Sequence, residues 1–332
     1  MPERLEQITA WLQAEPAFAS VAIRPASADA SFRRYFRVTA GDASYIVMDA
    51  PPDKEDMGPF LNVAALFLDI GLNVPRVLAA DIDRGFYLLS DLGDAHYLRA
   101  LNSDTVQRLY GDALGALVVI QAQGPRTGEL PAYDRPLLLR EMDLFRDWLV
   151  GKHLGMTLDA TQAAMLDGCF DVLAMSALEQ PQVCVHRDYH SRNLMVTPSN
   201  NPGILDFQDA VIGPVTYDLV SLLRDCYIAW PRAQVEDWAL GYCELALQSG
   251  VLRPAQADEK RFLQWFDWMG VQRHLKAAGI FARLYRRDGK PGYLDDIPRT
   301  LGYVVDVAAH YPQLAGLDAL AQDVIDRLPQ AV

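Results

Sequence analysis

Apolar positions recur every three to four residues at the start of the chain. Leu5, Ile8 and Leu12 fall on one side of Pro2–Gln13, which predicts an amphipathic helix. The period then changes. Residues 21–23, 35–39, 45–48, 76–80 and 86–89 are short β-branched and aromatic runs set off by turn residues, and they predict strands. One helix interrupts them at residues 59–70, closed by Gly71 and followed by Pro75. From Asp94 onward helical spacing dominates, broken by β-prone runs at residues 182–186, 193–197 and 203–205. The first two of these runs should form a hairpin around a tight loop at 187–192, with PSNNP (198–202) turning into the third. The expected fold class is α+β and bilobal: residues 1–92 form a small β-rich N-lobe and residues 93–332 a large, mainly helical C-lobe.

Composition agrees with that division. A chain of 332 residues with 51% hydrophobic content exceeds a typical single core, so two lobes are expected. A net charge of -13 disfavours nucleic acid and anionic membranes as partners. No apolar run approaches the roughly 20 residues of a membrane span. The N-terminal MPERLEQITAWLQ has no apolar signal-peptide region. Cys169, Cys184, Cys226 and Cys243 lack paired metal spacing and sit in apolar surroundings, as buried thiols of a reducing compartment do. A cytoplasmic monomer is expected.

The candidate chemistry lies in residues 185–219, VHRDYHSRNLMVTPSNNPGILDFQDAVIGPVTYDL. An H-x-D-x-x-x-x-N loop followed about a dozen residues on by an aspartate after an apolar run is what phosphoryl transfer from a nucleotide requires. One carboxylate orients and deprotonates an attacking hydroxyl, and hard oxygen donors hold Mg²⁺ against the phosphates. Asp188 is the candidate base, and Asn193 and Asp206 are the candidate Mg²⁺ ligands. His186 is expected to support the loop backbone, and Asp218 to accept backbone N–H bonds from that loop as a buried carboxylate.

This segment resembles the catalytic loop of the aminoglycoside phosphotransferase and choline kinase superfamily. Asp206-Phe207-Gln208 stands at the DFG-like position, and Pro214 to Leu219 matches the family's Pro-x-x-Tyr-Asp-Leu. Several blocks resemble, more narrowly, the anomeric N-acetylmuramate/N-acetylglucosamine kinases of bacterial cell-wall recycling: ASFRRYFRV (30–38), IVMDAPP (46–52), residues 206–231 and residues 272–290. The resemblance covers nearly the whole chain. It implies a protein-kinase-like fold, ATP and Mg²⁺ as cofactors, and a small-molecule amino sugar as acceptor, phosphorylated at its anomeric hydroxyl. It also implies a hinge at 90–93, where Ser90, Asp91 and Leu92 would meet the nucleotide through their backbone.

The small lobe departs from the kinase pattern. The loop over the phosphates, residues 26–34, has no glycine. Ser31, Arg33 and Arg34 could supply donors instead, or the arginines could form a solvated strand face. Met48 occupies the place of the strand lysine; Lys54 reads as an exposed turn residue and Glu55 as a weak candidate partner acid. On the acceptor side, residues 261–290 hold seven Lys/Arg against two aspartates. As a helix they put Trp268, Val271, Leu275, Ala278, Ala282 and Tyr285 on one face and Arg273, Lys276, Arg283 and Arg287 on the other. Arg273, His274 and Lys276 are candidates for binding an acidic acceptor group, against a solvent-facing stripe. Arg224 is a further candidate, against an ion pair with Asp225 or a nearby glutamate. Tyr227, Trp230, Trp265, Trp268 and Tyr293 would suit a sugar ring, with plain core as the default. Two other functions stay open: a kinase of another acceptor (aminoglycoside, choline or homoserine type), and a non-catalytic nucleotide-binding regulator.

Overall fold

The structure is a computed structural model that describes residues 2–19, 21–28 and 32–329. In chain order, α1 (Pro2–Gln13) precedes β1 (Ala22–Ala28), β2 (Arg34–Ala40) and β3 (Ala43–Asp49). Helix α2 (Gly58–Asp69) leads to β4 (Val77–Asp81) and β5 (Phe86–Ser90). Then come α3 (Tyr97–Ala100), α4 (Val106–Gln123), α5 (Arg135–Leu144) with a π-helical continuation Phe145–His153, and α6 (Ala160–Glu179). Four short strands follow: β6 (Gln182–Val185), β7 (Leu194–Met195), β8 (Gly203–Ile204) and β9 (Val211–Pro214). The chain ends in α7 (Tyr217–Leu223), α8 (Arg232–Gln248), α9 (Glu259–Asp288), α10 (Ile297–Ala308) and α11 (Leu317–Arg327).

These elements form two compact units, residues 1–96 with 194–209, and residues 97–193 with 210–332. The first is a five-stranded sheet in the order β1-β2-β3-β5-β4, antiparallel throughout. Helix α1 turns Ile8 and Leu12 of its predicted stripe onto Phe36, Val38, Val47, Phe86 and Leu88, while Leu5, the third residue of that stripe, is exposed. Helix α2 buries Phe60, Val63, Ala64 and Phe67. The β7–β8 hairpin belongs to this unit. Ile204 N–H bonds Asn73 O at 2.8 Å, Val196 N–H bonds Ala95 O at 2.7 Å, and Phe207 stacks on Phe60 with ring centres 5.1 Å apart.

The second unit is helical apart from β6 and β9. The structure corrects the expected hairpin of 182–186 with 193–197: β6 pairs with β9, and β7 with β8. The reason is local. The loop between β6 and β7 folds onto itself and onto carboxylates from the α7 region, so the two strands leave it toward different partners. Helix α9 departs from the sequence reading too. It buries residues on both faces, Arg273, His274 and Lys276 included, because other helices of the unit surround it. Close approach is built into it at Gly279, where a Cβ would lie 2.2 Å from Leu144 C and 2.5 Å from Phe145 N. All four cysteines are free and buried. Among the described residues, no helix is long and apolar enough to cross a membrane.

Candidate active site

The loop after β6 is shaped by its own backbone bonds and by two buried carboxylates. Asp218, on the first turn of α7, accepts from His186 N at 2.6 Å and Arg187 N at 2.9 Å. Arg187 adopts a left-handed φ of 77°, which turns the chain sharply before Asp188. Asp188 N–H donates to His186 Nδ1 at 3.2 Å, so the His186 ring nitrogen that faces it is an acceptor. Asp188 O in turn accepts from His190 N and from Asn193 Nδ2, both at 3.0 Å. At the far side of the loop, Asp225 Oδ2 accepts from Ser191 N at 2.9 Å. Sequence reasoning missed Asp225. The signal was there: it follows Asp218 by seven residues, about two helical turns.

Cations surround Asp188. Burial alone would raise its pKa, but Lys276, His190, Arg273 and Arg187 outweigh burial and hold it below the usual aspartate value. It is a carboxylate at neutral pH. Asp218 goes the other way: burial pushes it up to about 7, against the two N–H bonds that favour its charged form.

Behind the loop Glu141 of α5 gathers the cations. It pairs with Arg187, accepts from Tyr133 Oη and lies 3.2 Å from Lys276 Nζ. Burial acts against each charge here. Even so, Glu141 is lowered by Lys276 and Arg187, and Lys276 is raised by Glu141, so all three are ionised.

The four residues expected to bind the acceptor sit close around this core and point inward. Arg224 is 4% exposed and its Nη2 donates to Asp267 Oδ1 at 2.5 Å, a different partner from Asp225 or a glutamate. His274 is fully buried, bonds Arg224 O at 2.8 Å and stacks on Tyr303. Lys276 donates to Tyr217 Oη at 2.9 Å besides facing Glu141. Arg273 is 5% exposed; its Nη1 lies 3.6 Å from Cys226 Sγ, and its Nε has no hydrogen-bond partner among the described residues. The aromatic residues scatter. Trp265 donates to Glu179, Trp268 packs on Tyr311, and Trp230 packs on Tyr110 and Trp238. Tyr227 remains beside the catalytic loop, edge-on to His190 at 5.4 Å, and both Tyr227 and Tyr293 pack on Phe281.

In the sheet unit, Asp206 follows β8 with a φ of 63°, while Phe207 is locked between Phe60 and Phe67 of α2. Asp206 Oδ1 accepts from Gln208 Nε2 at 2.7 Å and lies 3.9 Å from Arg33 Nη2. Arg33 Nε is also 3.8 Å from Glu55, whose other oxygen accepts from Phe32 N at 2.9 Å. Arg33, 8% exposed, thus links Asp206 to Glu55. Both Nε and Nη2 of Arg34 bond the fully buried Asp49, which Arg4 also holds. Met48 is buried, and Lys54 is exposed beside Asp53. Ser31 lies outside the described residues. At the end of β5, Ser90 Oγ accepts from Arg76 N, and Asp91 is tied to Arg37, Ser44 and Gly93 N. Hydrogen bonds from Arg37 and Ser44 outweigh burial and lower the Asp91 pKa. Leu92 packs near Gly203. The three hinge side chains are therefore engaged internally.

The donor set suits Mg²⁺. In the helical unit Asn193 Nδ2 donates to Asp188 O, and in the sheet unit Asp206 is a part-exposed carboxylate; each residue carries the hard oxygen that Mg²⁺ takes. Among the described residues no group of three or more His, Cys, Asp or Glu could hold a metal ion by itself.

An antiparallel sheet unit, a helical unit and a carboxylate loop of this geometry define a kinase-like phosphotransferase, an enzyme that transfers phosphate. The model of the phosphotransferase enzyme family APH matches residues 22–257, and the chain belongs to that family. It is 44% identical to the N-acetylmuramate/N-acetylglucosamine kinase of Pseudomonas putida, over 98% of both chains. It is 49% identical to the protein of the same name from Pseudomonas aeruginosa, over 89% of this chain and 86% of that one. Among solved structures it resembles the ADP-bound aminoglycoside phosphotransferase APH(2'')-Ib, with a TM-score of 0.57 at 13% identity, covering 90% of this chain and 97% of that one.

Proposed function

We propose that the chain is an ATP- and Mg²⁺-dependent kinase of N-acetylmuramate and N-acetylglucosamine that phosphorylates the anomeric hydroxyl. Its place is cytoplasmic peptidoglycan recycling. The observation that carries the reading is end-to-end similarity to kinases named for these two sugars, together with a pinned loop that presents an ionised Asp188.

Asp188 accepts the proton of the anomeric hydroxyl as its oxygen forms a bond to the γ-phosphorus. The bond from that phosphorus to the bridging β,γ-oxygen breaks, and ADP leaves with the electron pair. The products are a sugar 1-phosphate and ADP. An anomeric hydroxyl is more acidic than an ordinary alcohol, so a carboxylate of low basicity suffices. When bound to Asn193 and Asp206, Mg²⁺ neutralises charge developing on the phosphate oxygens. Arg33 beside Asp206 is assigned to the phosphate side, in the role that a strand lysine fills in other kinases. The backbone of Ser90, Asp91 and Leu92 is assigned to the adenine edge. Arg34, Arg224, His274 and Lys276 are assigned internal roles: sheet anchoring for the first, support of the catalytic loop for the rest. A cationic acceptor such as choline would need an acidic or aromatic site. The surface next to this loop instead carries Arg192 and Arg299 on either side of Asp296.

The test is ADP release with Mg-ATP and each of N-acetylmuramate, N-acetylglucosamine, kanamycin and choline. Turnover with the two amino sugars supports the assignment. Turnover with kanamycin or choline alone overturns the acceptor.

A further inference from the structure

Around Asp188 several polar side chains have partners inside the protein. Lys276 meets Glu141 and Tyr217 Oη, Arg187 meets Glu141, and Asp218 and Asp225 accept N–H groups of the loop. Arg273 and His190 are not matched in this way among the described residues. Arg273 makes one side-chain hydrogen bond, a weak one of 3.6 Å from Nη1 to Cys226 Sγ, and its Nε is buried with no partner. The His190 side chain makes none, and its Nδ1 is buried with no partner. We propose that Arg273 and His190 receive the acetamido group that N-acetylmuramate and N-acetylglucosamine share. The inference rests on the sugar-kinase reading and deepens it.

Both side chains meet residues 225–227, the segment that backs the catalytic loop. Asp225 pins that segment to the loop through Ser191 N at 2.9 Å. The next residue, Cys226, touches Arg273; the one after, Tyr227, lies edge-on to the His190 ring with centres 5.4 Å apart. His190 is tied to the base as well, its N–H donating to Asp188 O at 3.0 Å. Both side chains act on the charge of Asp188, so both lie near it.

What the pair lacks is hydrogen bonds and not charge. Asp188 and Asp225 act on Arg273 from nearby, so its charge is offset while its N–H groups go without acceptors. Leaving a buried donor unpaired costs more than a made bond gains, so a ligand oxygen here is strongly favoured. Burial, and after it Arg273, outweigh Asp225 and Asp188 and hold His190 below an ordinary 6.5. The ring is therefore neutral, with one donor and one acceptor. A secondary amide is the complement: its carbonyl oxygen suits the guanidinium, and the imidazole can meet either end of it. The substrate supplies the placement. C2 is bonded to the anomeric carbon, so with the anomeric oxygen at Asp188 the acetamido group is the distinguishing substituent nearest the base. The lactyl carboxylate on O3 is one carbon farther away, and N-acetylglucosamine lacks it.

The experiment uses the full chain with Arg273→Gln, Arg273→Lys and His190→Ala, and measures kcat and KM for both amino sugars with Mg-ATP. Glucose, which has a hydroxyl in place of the acetamido group, is followed as substrate or as competitive inhibitor. Arg273→Gln should raise KM for both amino sugars together by roughly tenfold to a hundredfold. The changes in kcat and in the constant for glucose should be smaller, and Arg273→Lys should recover part of the loss. His190→Ala should raise both KM values too, and it carries the test alone if neither Arg273 variant unfolds cooperatively in urea. KM values within about twofold of wild type overturn the inference. An equal weakening of glucose overturns it by placing Arg273 on a group common to all three sugars. A change confined to N-acetylmuramate overturns it in favour of the carboxylate. A loss in kcat alone, with a shifted pH profile, overturns it by making Arg273 a support of Asp188. A wild-type protein inactive on both amino sugars overturns the sugar-kinase reading and this inference with it, whereas wild-type turnover with unshifted KM values in the variants overturns this inference alone.

Discussion

Replacing Glu141 by Gln removes the carboxylate on which three buried or partly buried donors converge. Arg187, Lys276 and Tyr133 all meet it, and Glu141 itself is 6% exposed. In the native protein two cations face one anion there. In the variant only Asp188 remains to offset them, and the amide offers one acceptor to three donors. Breaking a buried ion pair by removing one partner costs about 3–5 kcal/mol, because the remaining charge stays desolvated. Gln keeps the volume and one acceptor, which places the expected loss near the lower end, about 3 kcal/mol. Urea unfolding followed by circular dichroism at pH 7 measures it. Glu141→Gln combined with Lys276→Met removes one of the stranded cations and should recover a substantial part of the loss. Function follows the same charges. Without Glu141, Asp188 sits among cations that nothing offsets, so its pKa falls further and it becomes a weaker base. The variant should lose kcat as well as stability. A loss under about 1 kcal/mol, the scale of a solvated surface pair, would refute the reasoning, because Glu141 would then not be compensating buried charge.

Other expectations follow from the same structure. Asp188→Asn should lower kcat by roughly a hundredfold or more while leaving nucleotide affinity intact by calorimetry; unaltered turnover would remove Asp188 as the base. Burial, with Arg273 adjacent, pushes His274 down to about 3 from an ordinary 6.5, so the folded protein holds it neutral. Its contribution is present above pH 6.5 and is lost as pH falls toward 3, roughly 2 kcal/mol of it by pH 5. Urea midpoints at pH 7 and pH 5 should therefore diverge less in His274→Gln than in wild type, and equal divergence would contradict the assignment. Asp225→Ala strands the buried Ser191 N–H, at about 1–3 kcal/mol when unpaired, and the partly buried Tyr227 N–H. It should lower both stability and kcat, and a variant with native kcat would show that the loop does not need this anchor. Gly279→Ala forces a methyl against the Leu144–Phe145 backbone, and a loss of about 3 kcal/mol is expected by thermal melting.

The elements of the sheet unit were legible because their hydrophobic period is local. Strands at 35–39, 45–48 and 86–89 and the helix at 59–70 lie within a few residues of β2, β3, β5 and α2. The pairing of β6 with β9 was not legible, because a four-residue strand carries no mark of its partner. At the site, the motif spacing located the loop and its Asp218 bonds, since a carboxylate after Pro-x-x-Tyr has few other places to go. Helix α9 misled for a physical reason. Charged residues at helical spacing normally face water, but here they face Glu141, Asp188 and Cys226 across the helical unit. Only three-dimensional proximity shows that compensation.

The central claim is transfer of the γ-phosphoryl group to an anomeric oxygen, and phosphorus NMR of the product tests it most directly. With Mg-ATP and N-acetylmuramate or N-acetylglucosamine, the account predicts a new phosphomonoester signal coupled to the anomeric proton, absent with Asp188→Asn. A phosphoryl signal coupled to the C6 protons, or formation of ADP and inorganic phosphate without any sugar phosphate, would contradict it.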